Sequence, residues 1–374
     1  MIPAIPLIRS GWKATRSGPT SPITAASQQR APMIITSTPF RISFFGGGTD
    51  YPIWFRENGG AVLAASINRY CYISCRFYPP FFEYKHRIVW SQIELAQDVS
   101  EIKHPAVREA IRHLGVEEGL EIHHDGDLPA RSGLGSSSSF AVGMLHALYA
   151  LKGVYVSKQQ LAKEAIHLEQ NLLKEDVGIQ DQITAAYGGI NIVEIDKTGG
   201  FGVRPLPISE LRRKALEEHL LLVYTGVSRT ASNIAKAQIA SIPNKLPVLR
   251  RMQKMVYEAA DMLTGSGALD RFGELLHEGW ELKRSISPAI STPLVDELYA
   301  AARIAGATGG KLLGAGGGGF VLLFVKPELR QSVLDVLRKF LMVPFEFETN
   351  GTHVVLYEPE RYSQFARSNR QFVR

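Results

Sequence analysis

The stretch at residues 127–151, DLPARSGLGSSSSFAVGMLHALYAL, joins a small, glycine-broken segment to an apolar one. Apolar side chains recur at three- and four-residue spacing over residues 140–151, which predicts a helix buried in the core. Pro129 and Gly133 keep residues 129–139 out of a regular helix. The sequence therefore predicts a loop that leads directly into a core helix, against which the rest of the chain must pack.

Glycines and four consecutive serines stand where this helix is predicted to begin. Backbone N–H groups at a helix start lack intrahelical partners and the helix dipole is positive there, so such an end binds anions, phosphate above all. A serine at this place can also be an ordinary N-cap. Two glycines and the four serines at residues 136–139 together favour the phosphate site, although the pattern is neither G-x-x-x-x-G-K-[ST] nor G-x-G-x-x-G.

The composition is typical of a globular protein. The 374 residues are enough for two domains with full cores. A net charge of +6 suits phosphorylated ligands, but without a dense Lys/Arg tract we predict no nucleic-acid partner. No apolar run approaches the ~20 residues that span a bilayer, so we predict no membrane partner and a cytoplasmic location. The only two cysteines, Cys71 and Cys75, predict buried reduced thiols rather than a zinc site.

Residues 1–32 carry four basic residues and no acidic one. Such a composition occurs in organelle transit peptides, but the helical amphipathicity here is poor. The sequence favours a disordered N-terminal extension or a start codon assigned too early. Ordered structure is predicted to begin near Met33.

Strand and helix patterns divide the remaining chain into two parts at the glycine-rich residues 200–206. Strands are predicted at 34–36, 42–45, 59–79 (one bent strand or two), 120–123, 190–195, 220–226, after 319, and at 351–357. Helices are predicted at 105–114, 140–151, 158–172, from Ile179 to Gly188, and at 231–240, 245–263, 267–284, 292–302 and 328–341. The predicted domains are an extension at 1–32, an N-terminal domain at 33–204, a C-terminal domain at 205–360 and a tail at 361–374.

Two further glycine segments stand next to predicted strands. In the first, GGGTD, three glycines end a strand and lead to Asp50, which is either a carboxylate at a pocket rim or part of a hairpin turn. In the second, GAGGGG at residues 314–319, a backbone almost without side chains can wrap a ligand or pack against the phosphate loop.

Two acidic residues follow the central helix. Glu169 lies near the end of the predicted helix 158–172, and Asp181 lies in the first turn of the next helix, where the helix dipole helps to keep it ionised. From the residues alone, both are ordinary helix acids. The adjacent His123 and His124 do not predict a metal site, since a strand sends neighbouring side chains to opposite faces.

Three motifs in fixed order, PFRISFFGGGTD, PARSGLGSSSSF and KLLGAGGGGF, resemble those of the GHMP kinases, the superfamily of galactokinase, homoserine kinase, mevalonate kinase and phosphomevalonate kinase. The resemblance covers residues 33–360. It implies an α+β fold of two domains, the N-terminal one similar to domain 2 of ribosomal protein S5 and the C-terminal one a ferredoxin-like α/β sandwich. Ser138 stands where the family usually has alanine, a mild departure.

The resemblance assigns roles to the residues singled out above. It implies that Asp181 is the catalytic base and Arg41 the cation beside the attacking hydroxyl. It implies ATP and Mg²⁺ as cofactors, with Ser137 and Glu169 as the magnesium ligands. The ATP phosphates would be held by Gly133, Leu134, Gly135, Ser136, Ser137 and Ser138.

On the substrate side, Asp50 matches the acid that hydrogen-bonds sugar hydroxyls. The full predicted set is Gly47, Gly48, Thr49, Asp50, Gly316, Gly317, Arg229 and Lys311. A substrate that already bears phosphate needs a second cation cluster, for which Arg229 and Lys311 are the candidates and Arg131 is a weaker one.

Galactokinases have G-E-H-T-D where this chain has GGGTD, which argues against that branch. RISFFGGGTDYP, GGAVLAASI, EIKHPAVREA and YTGVSRTAS look most like bacterial D-glycero-D-manno-heptose 7-phosphate 1-kinases and the related fucokinase domain. The resemblance therefore implies an ATP-dependent kinase of the C1 hydroxyl of a heptose 7-phosphate, in the synthesis of nucleotide-activated heptose for surface glycans, and is compatible with a homodimer. A fucokinase-like kinase of a free sugar and a catalytically silent sugar sensor remain the alternatives.

Overall fold

The computed structural model describes residues 33–227 and 231–358, with side chains omitted at 231–233. The described residues belong to one compact unit. The predicted N-terminal extension, the tail and Arg229 lie outside the described residues. Within the described part of the chain, no helix is both long enough and apolar enough to cross a membrane.

The first of two sheets among the described residues is mostly antiparallel. Its strands follow the order β12-β1-β2-β5-β3-β4, while β6 pairs with β2 and β7. Only β3 and β5 pair in parallel among these strands. The bounds are β1 (Ile34–Phe45), β2 (Gly60–Phe77), β3 (His86–Val89), β4 (Ile93–Ala96), β5 (Leu120–Gly126), β6 (Ile190–Ile195), β7 (Phe201–Pro205) and β12 (His353–Tyr357).

The second sheet has four strands in the order β11-β8-β10-β9, all antiparallel. Its bounds are β8 (Leu220–Tyr224), β9 (Ala307–Leu312), β10 (Phe320–Val325) and β11 (Leu341–Met342). The central strand β10, FVLLFV, is buried along its whole length, as expected for a strand covered on both faces.

Helices pack on both sheets. Their bounds are α1 (Pro52–Asn58), α2 (Pro105–His113), α3 (Ser136–Leu151), α4 (Lys158–His167), α5 (Gln180–Tyr187), α6 (Glu210–His219), α7 (Ala231–Ser241), α8 (Leu246–Thr264), α9 (Asp270–Ile286), α10 (Pro293–Ile304) and α11 (Arg330–Val336). The mixture of antiparallel sheets and helices confirms the α+β fold class.

Helix α3 is the predicted core helix, and it lies directly on strands β1 and β2. Gly143 permits this close approach, because a Cβ there would lie 2.7 Å from Oγ1 of Thr38. The carbonyl of Gly143 accepts a hydrogen bond from Oγ1 of Thr36 at 3.0 Å. The helix therefore fixes the position of its own N-terminus relative to β1.

Strand β1 is longer than predicted. The sequence predicted two strands with a break between residues 36 and 42, and this prediction is wrong, because β1 runs without interruption from Ile34 to Phe45. The pairing with β2 shifts register between Pro39 and Phe40, so a bulge accommodates the proline inside the strand. As a result Arg41 lies on the same strand that leads into Gly46 and the GGGTD loop.

Three other segments differ from the predicted elements. The helix predicted at 328–341 ends at Val336, and residues 341 and 342 form β11. Strand β7 occupies the predicted boundary at 200–206 and pairs with β6 of the first sheet. Strand β12, predicted in the C-terminal domain, pairs with β1 of the first sheet. The division into domains at residue 204 remains a prediction.

Candidate active site

The phosphate loop, residues 129–135, turns sharply before α3. Gly133 and Gly135 have φ values of +88° and +74°, which side chains rarely tolerate. Gly135 is the N-cap of α3 and has no side chain to cap it, so the first N–H groups of the helix are left for a ligand. The hydroxyl of Ser136 accepts a hydrogen bond from the backbone N–H of Arg131 at 3.1 Å and holds the loop closed.

The glycine loop, residues 313–319, packs directly on the phosphate loop, which is one of the two arrangements that the sequence left open. A Cβ on Gly133 would lie 2.5 Å from the carbonyl oxygen of Leu313. The N–H of Phe320 donates to the carbonyl of Ser132 at 3.1 Å. The N–H of Gly317, a predicted substrate residue, donates to the carbonyl of Ile290 at 2.9 Å.

Arg41 and Asp181 form a bidentate ion pair beside the phosphate loop. The Nε and Nη2 atoms of Arg41 each donate to one carboxylate oxygen of Asp181 at 2.6 Å. The third nitrogen, Nη1, donates to the carbonyl of Gly133 at 2.7 Å. Arg41 is buried, while 24% of the Asp181 side chain is exposed. The pair therefore presents a fixed, charged and partly accessible carboxylate next to the loop.

Asp181 lies beside the start of α3. A Cβ on Gly135 would lie 3.4 Å from Oδ2 of Asp181, so a side chain at this position would contact the carboxylate. The first turn of α5 carries Asp181, as the sequence predicted. The structure thus brings together the residues predicted as base, cation and phosphate loop, and their roles stay predictions.

Glu169 is buried and faces the first turn of α3. It lies in a π-helical turn, Leu168–Leu172, that extends α4, and such turns often mark functional sites. Its two carboxylate oxygens accept hydrogen bonds from the hydroxyls of Ser137 and Ser138. Burial raises the pKa of Glu169 to about 7, and the hydrogen bonds from the serines oppose this shift.

The donors around Glu169 fit a magnesium ion. Carboxylate and hydroxyl oxygens are hard ligands, and Mg²⁺ in phosphoryl-transfer sites takes one or two carboxylates and completes its shell with water and phosphate. Gln182 donates through its amide nitrogen to Glu169, and its buried Oε1 has no hydrogen-bond partner among the described residues. Among the described residues, no group of three or more His, Cys, Asp or Glu side chains is placed to hold a metal ion, so a magnesium ion beside Glu169 would need ligands of other kinds.

Asp50 is buried at the end of the GGGTD loop and binds backbone rather than an open pocket. Its Oδ1 accepts from the N–H of Gly48 at 2.9 Å, and its Oδ2 from the N–H of Gln180 at 3.4 Å. Its own carbonyl accepts from the N–H of Ile179 at 3.2 Å. Burial raises the pKa of Asp50, and the nearby Asp181 raises it further. Asp50 therefore fixes the start of α5, and a contact with sugar hydroxyls remains a prediction.

Lys311 does not occupy an exposed position at the far end of a pocket. It is buried in β9, and its Nζ donates to the carbonyl of Phe44 at 2.8 Å. Burial lowers the pKa of Lys311 well below its usual value, and Lys283 and Arg41 lower it further. A phosphate-binding cation must reach its ligand, so this geometry argues against Lys311 as a holder of a second phosphate. The other candidate, Arg229, lies outside the described residues.

The sequence analysis missed three polar residues of this region, the buried Gln182 and Lys283 and the half-buried Gln180. Gln180 accepts a hydrogen bond from the hydroxyl of Ser43 at 2.7 Å and so links α5 to β1. The pattern GIQDQ, with amides on both sides of Asp181, was the available signal for the two glutamines. For Lys283 the signal was a lysine within the apolar face of α9.

Comparisons with known proteins identify the family of this chain. The family model of the GHMP kinases N terminal domain matches residues 101–189, and that of the GHMP kinases C terminal region matches residues 249–341. The D-glycero-alpha-D-manno-heptose 7-phosphate kinase of Campylobacter jejuni is 28% identical over 320 residues, which cover 82% of this chain and 93% of that protein. The mevalonate kinase of Pyrococcus furiosus is 30% identical over 246 residues, 62% of this chain and 69% of that enzyme.

A solved structure supports the fold. The crystal structure of a D-glycero-D-manno-heptose 1-phosphate kinase from Bacteroides thetaiotaomicron superposes with a TM-score of 0.72 at 24% identity and covers 86% of this chain and 99% of that one. Members of the family use ATP as the phosphoryl donor, and the relatives support a sugar kinase within it. The chain belongs to the GHMP kinases and is a phosphotransferase.

Proposed function

We propose that this chain is an ATP- and Mg²⁺-dependent kinase that phosphorylates the C1 hydroxyl of D-glycero-D-manno-heptose 7-phosphate to give the 1,7-bisphosphate. The observation that carries the chemistry is the Arg41–Asp181 ion pair, which the same guanidinium joins to the phosphate loop through a hydrogen bond to the carbonyl of Gly133. The relative from Campylobacter jejuni, matched over most of both chains, supports the substrate.

Phosphoryl transfer needs positioning and charge neutralisation more than covalent help from the protein. In the proposed reaction the backbone N–H groups of residues 133–138 bind the ATP phosphates at the start of α3. Ser137 and Glu169 hold Mg²⁺, which supplies neutralising charge on the phosphates. Ser137 lies in the first turn of α3 and Glu169 faces that turn. The N–H groups for the phosphates and the ligands for the metal therefore share one edge of the site.

Asp181 orients the acceptor hydroxyl and accepts its proton as the new P–O bond forms. Arg41 holds both carboxylate oxygens, which fixes the carboxylate plane and leaves its partly exposed edge for the hydroxyl. The same guanidinium donates to the carbonyl of Gly133, so one side chain holds the base beside the phosphate loop. This arrangement places the attacking and transferred groups close together.

A free sugar is the second candidate substrate, and the position of one lysine favours it. Lys311, predicted to bind the second phosphate, is buried against the carbonyl of Phe44. The site for a substrate phosphate then depends on Arg229 and on the weaker candidate Arg131. A fucokinase-like enzyme needs no such site.

Coupled ADP release with ATP and Mg²⁺ tests the proposal on a panel of heptose 7-phosphate, mannose 6-phosphate, mannose, fucose and galactose. We expect turnover on the phosphorylated sugars, with heptose 7-phosphate the best. Turnover restricted to fucose or another free sugar would refute the phosphorylated substrate and retain the kinase chemistry. Tight binding of one sugar without ADP release would instead identify a sugar sensor.

A further inference from the structure

Two lysines are buried under the candidate site, and the mechanism above uses neither. Lys283 lies in α9 and Lys311 in β9, and both side chains are 6% exposed. Neither forms a salt bridge with any of the residues that the structure describes. A buried ammonium group without a carboxylate partner is costly, so its retention in the core calls for a function.

Lys283 is bound to the glycine loop. Its Nζ donates to the carbonyl of Gly314 and, at 3.3 Å, to that of Leu312. Gly314 in turn packs on the backbone of Gly133 in the phosphate loop. A single side chain from α9 therefore fixes the glycine loop at the point where it supports the phosphate loop.

Lys283 also belongs to the charge cluster of the site. The charged groups that act on it are Arg41 in β1, Asp50 in the GGGTD loop and Asp181 in α5. Lys311 in β9 is the fourth neighbouring group. The residues that α8 buries and the whole of β10, both packed beside α9, are apolar. Burial and, to a smaller extent, the nearby Arg41 lower the pKa of Lys283 to about 8, while the two aspartates oppose the shift.

We propose that Lys283 is a positioning residue for phosphoryl transfer: its ammonium group holds the glycine loop against the phosphate loop and adds positive charge beside the Arg41–Asp181 pair. The inference rests on the kinase function proposed above. Fixed positive charge next to reacting groups stabilises the negative charge that accumulates on the transferred group. A shift of reacting groups by about 1 Å costs on the order of 100-fold in rate, so a loosened loop is expected to lower kcat.

The first test compares the pH dependence of kcat for the wild type, Lys283→Met, Lys283→Arg and the control Lys254→Met, whose lysine is exposed on α8. We expect the wild-type and control kcat to fall as pH rises above about 8, where the Lys283 ammonium loses its proton. We expect Lys283→Met to have a kcat at pH 7 at least ~10-fold lower, with little change in the KM for ATP and no decline near pH 8. Lys283→Arg keeps its charge and is expected to hold its activity above pH 8.

Two results would overturn the inference. One is a Lys283→Met kcat within about twofold of wild type. The other is an unchanged decline above pH 8 in that variant, since the titrating group would then lie elsewhere and the lysine would only be structural. If Lys283→Met does not fold, the profiles of the wild type and Lys283→Arg still decide the matter.

Hydrogen–deuterium exchange tests the same inference without any sugar. The amides of Leu313, Gly317, Gly319 and Phe320 are hydrogen-bonded, so their exchange reports on the glycine loop. We expect Lys283→Met to exchange faster than wild type and Lys254→Met at residues 313–320 and equally at α3. Equal exchange in the loop would refute its attachment by Lys283. A wild type that turns over no sugar would refute the proposed function alone, because the exchange data would still decide on this lysine.

Discussion

Replacing Lys283 by methionine is expected to change how the stability of the protein depends on pH. Burial lowers the pKa of Lys283 from its ordinary 10.5 to about 8 in the folded state. Between these two values the unfolded chain holds a proton that the folded chain has lost, so the free energy of unfolding rises with pH. Methionine keeps most of the apolar stem and cannot titrate.

The expected size follows from the two pKa values. Their difference is 10.5 − 8, about 2.5, and one pKa unit corresponds to about 1.4 kcal/mol. The full effect is about 3 kcal/mol, and most of it develops between pH 8 and pH 10. At pH 7 the lysine carries its charge in both states, so its buried ammonium destabilises the folded protein there by the same amount.

Denaturant unfolding of the wild type and Lys283→Met at pH 7 and pH 10 measures this effect. Titrating groups away from Lys283 act on both proteins and cancel in the difference, which then reports Lys283 together with the neighbouring groups it interacts with, such as Lys311. The substitution also removes hydrogen bonds from two carbonyls, each worth about 1–3 kcal/mol, but this loss does not depend on pH. We expect the wild type to gain about 2–3 kcal/mol relative to the variant on going to pH 10. Parallel pH profiles would refute the depressed pKa.

Four further substitutions test individual parts of the site. Asp181→Asn is expected to lower kcat at least ~100-fold in the coupled assay, and a near-wild-type kcat would exclude it as the base. Glu169→Gln is expected to raise the Mg²⁺ concentration for half-maximal ATP-analogue binding at least ~10-fold, and an unchanged midpoint would exclude it as a ligand. Gly133→Ala places a Cβ at a positive φ and against the backbone of Leu313, and is expected to lower the free energy of unfolding by roughly 2–4 kcal/mol. The control Gly153→Ala has a positive φ but open space around it, and is expected to lose only about 1 kcal/mol. Equal losses in denaturant unfolding would contradict the close packing of the two loops. Arg229→Ala is expected to raise the KM for the phosphorylated sugar and to leave the KM for ATP unchanged. A KM for the sugar equal to that of the wild type would remove Arg229 from the phosphate site.

The local sequence pattern was sufficient to predict the elements of the fold in which apolar residues recur at a regular spacing. The apolar spacing of residues 140–151 predicted α3, and the structure only moves its start back to Ser136. The predicted break in β1 failed for a tertiary reason: pairing with β2 continues on both sides of Pro39 and holds the strand together, while β12 pairs with residues 34–37. A single sequence does not display such pairing.

The site was predictable where function depends on a motif and unpredictable where it depends on burial. The phosphate loop, Asp181 and Arg41 were found through their motifs, and the structure brings them into contact. Glu169 looks like an ordinary helix acid from the residues alone and was assigned only through the resemblance, and Lys283 was missed; both are buried in the structure. Lys311 was expected to face a ligand, yet β9 directs it to the carbonyl of Phe44. The direction of a side chain depends on sheet register, which the local sequence does not specify.

The most direct measurement of the central claim is phosphorus NMR of the product made from ATP, Mg²⁺ and heptose 7-phosphate by the wild type and by Asp181→Asn. We predict that the wild type gives a second phosphate ester coupled to the anomeric proton, with one ADP formed per ester, and that the variant gives at least ~100-fold less in the same time. A new phosphate on any other hydroxyl, or ADP with only inorganic phosphate, would contradict the assignment of this site to the anomeric hydroxyl.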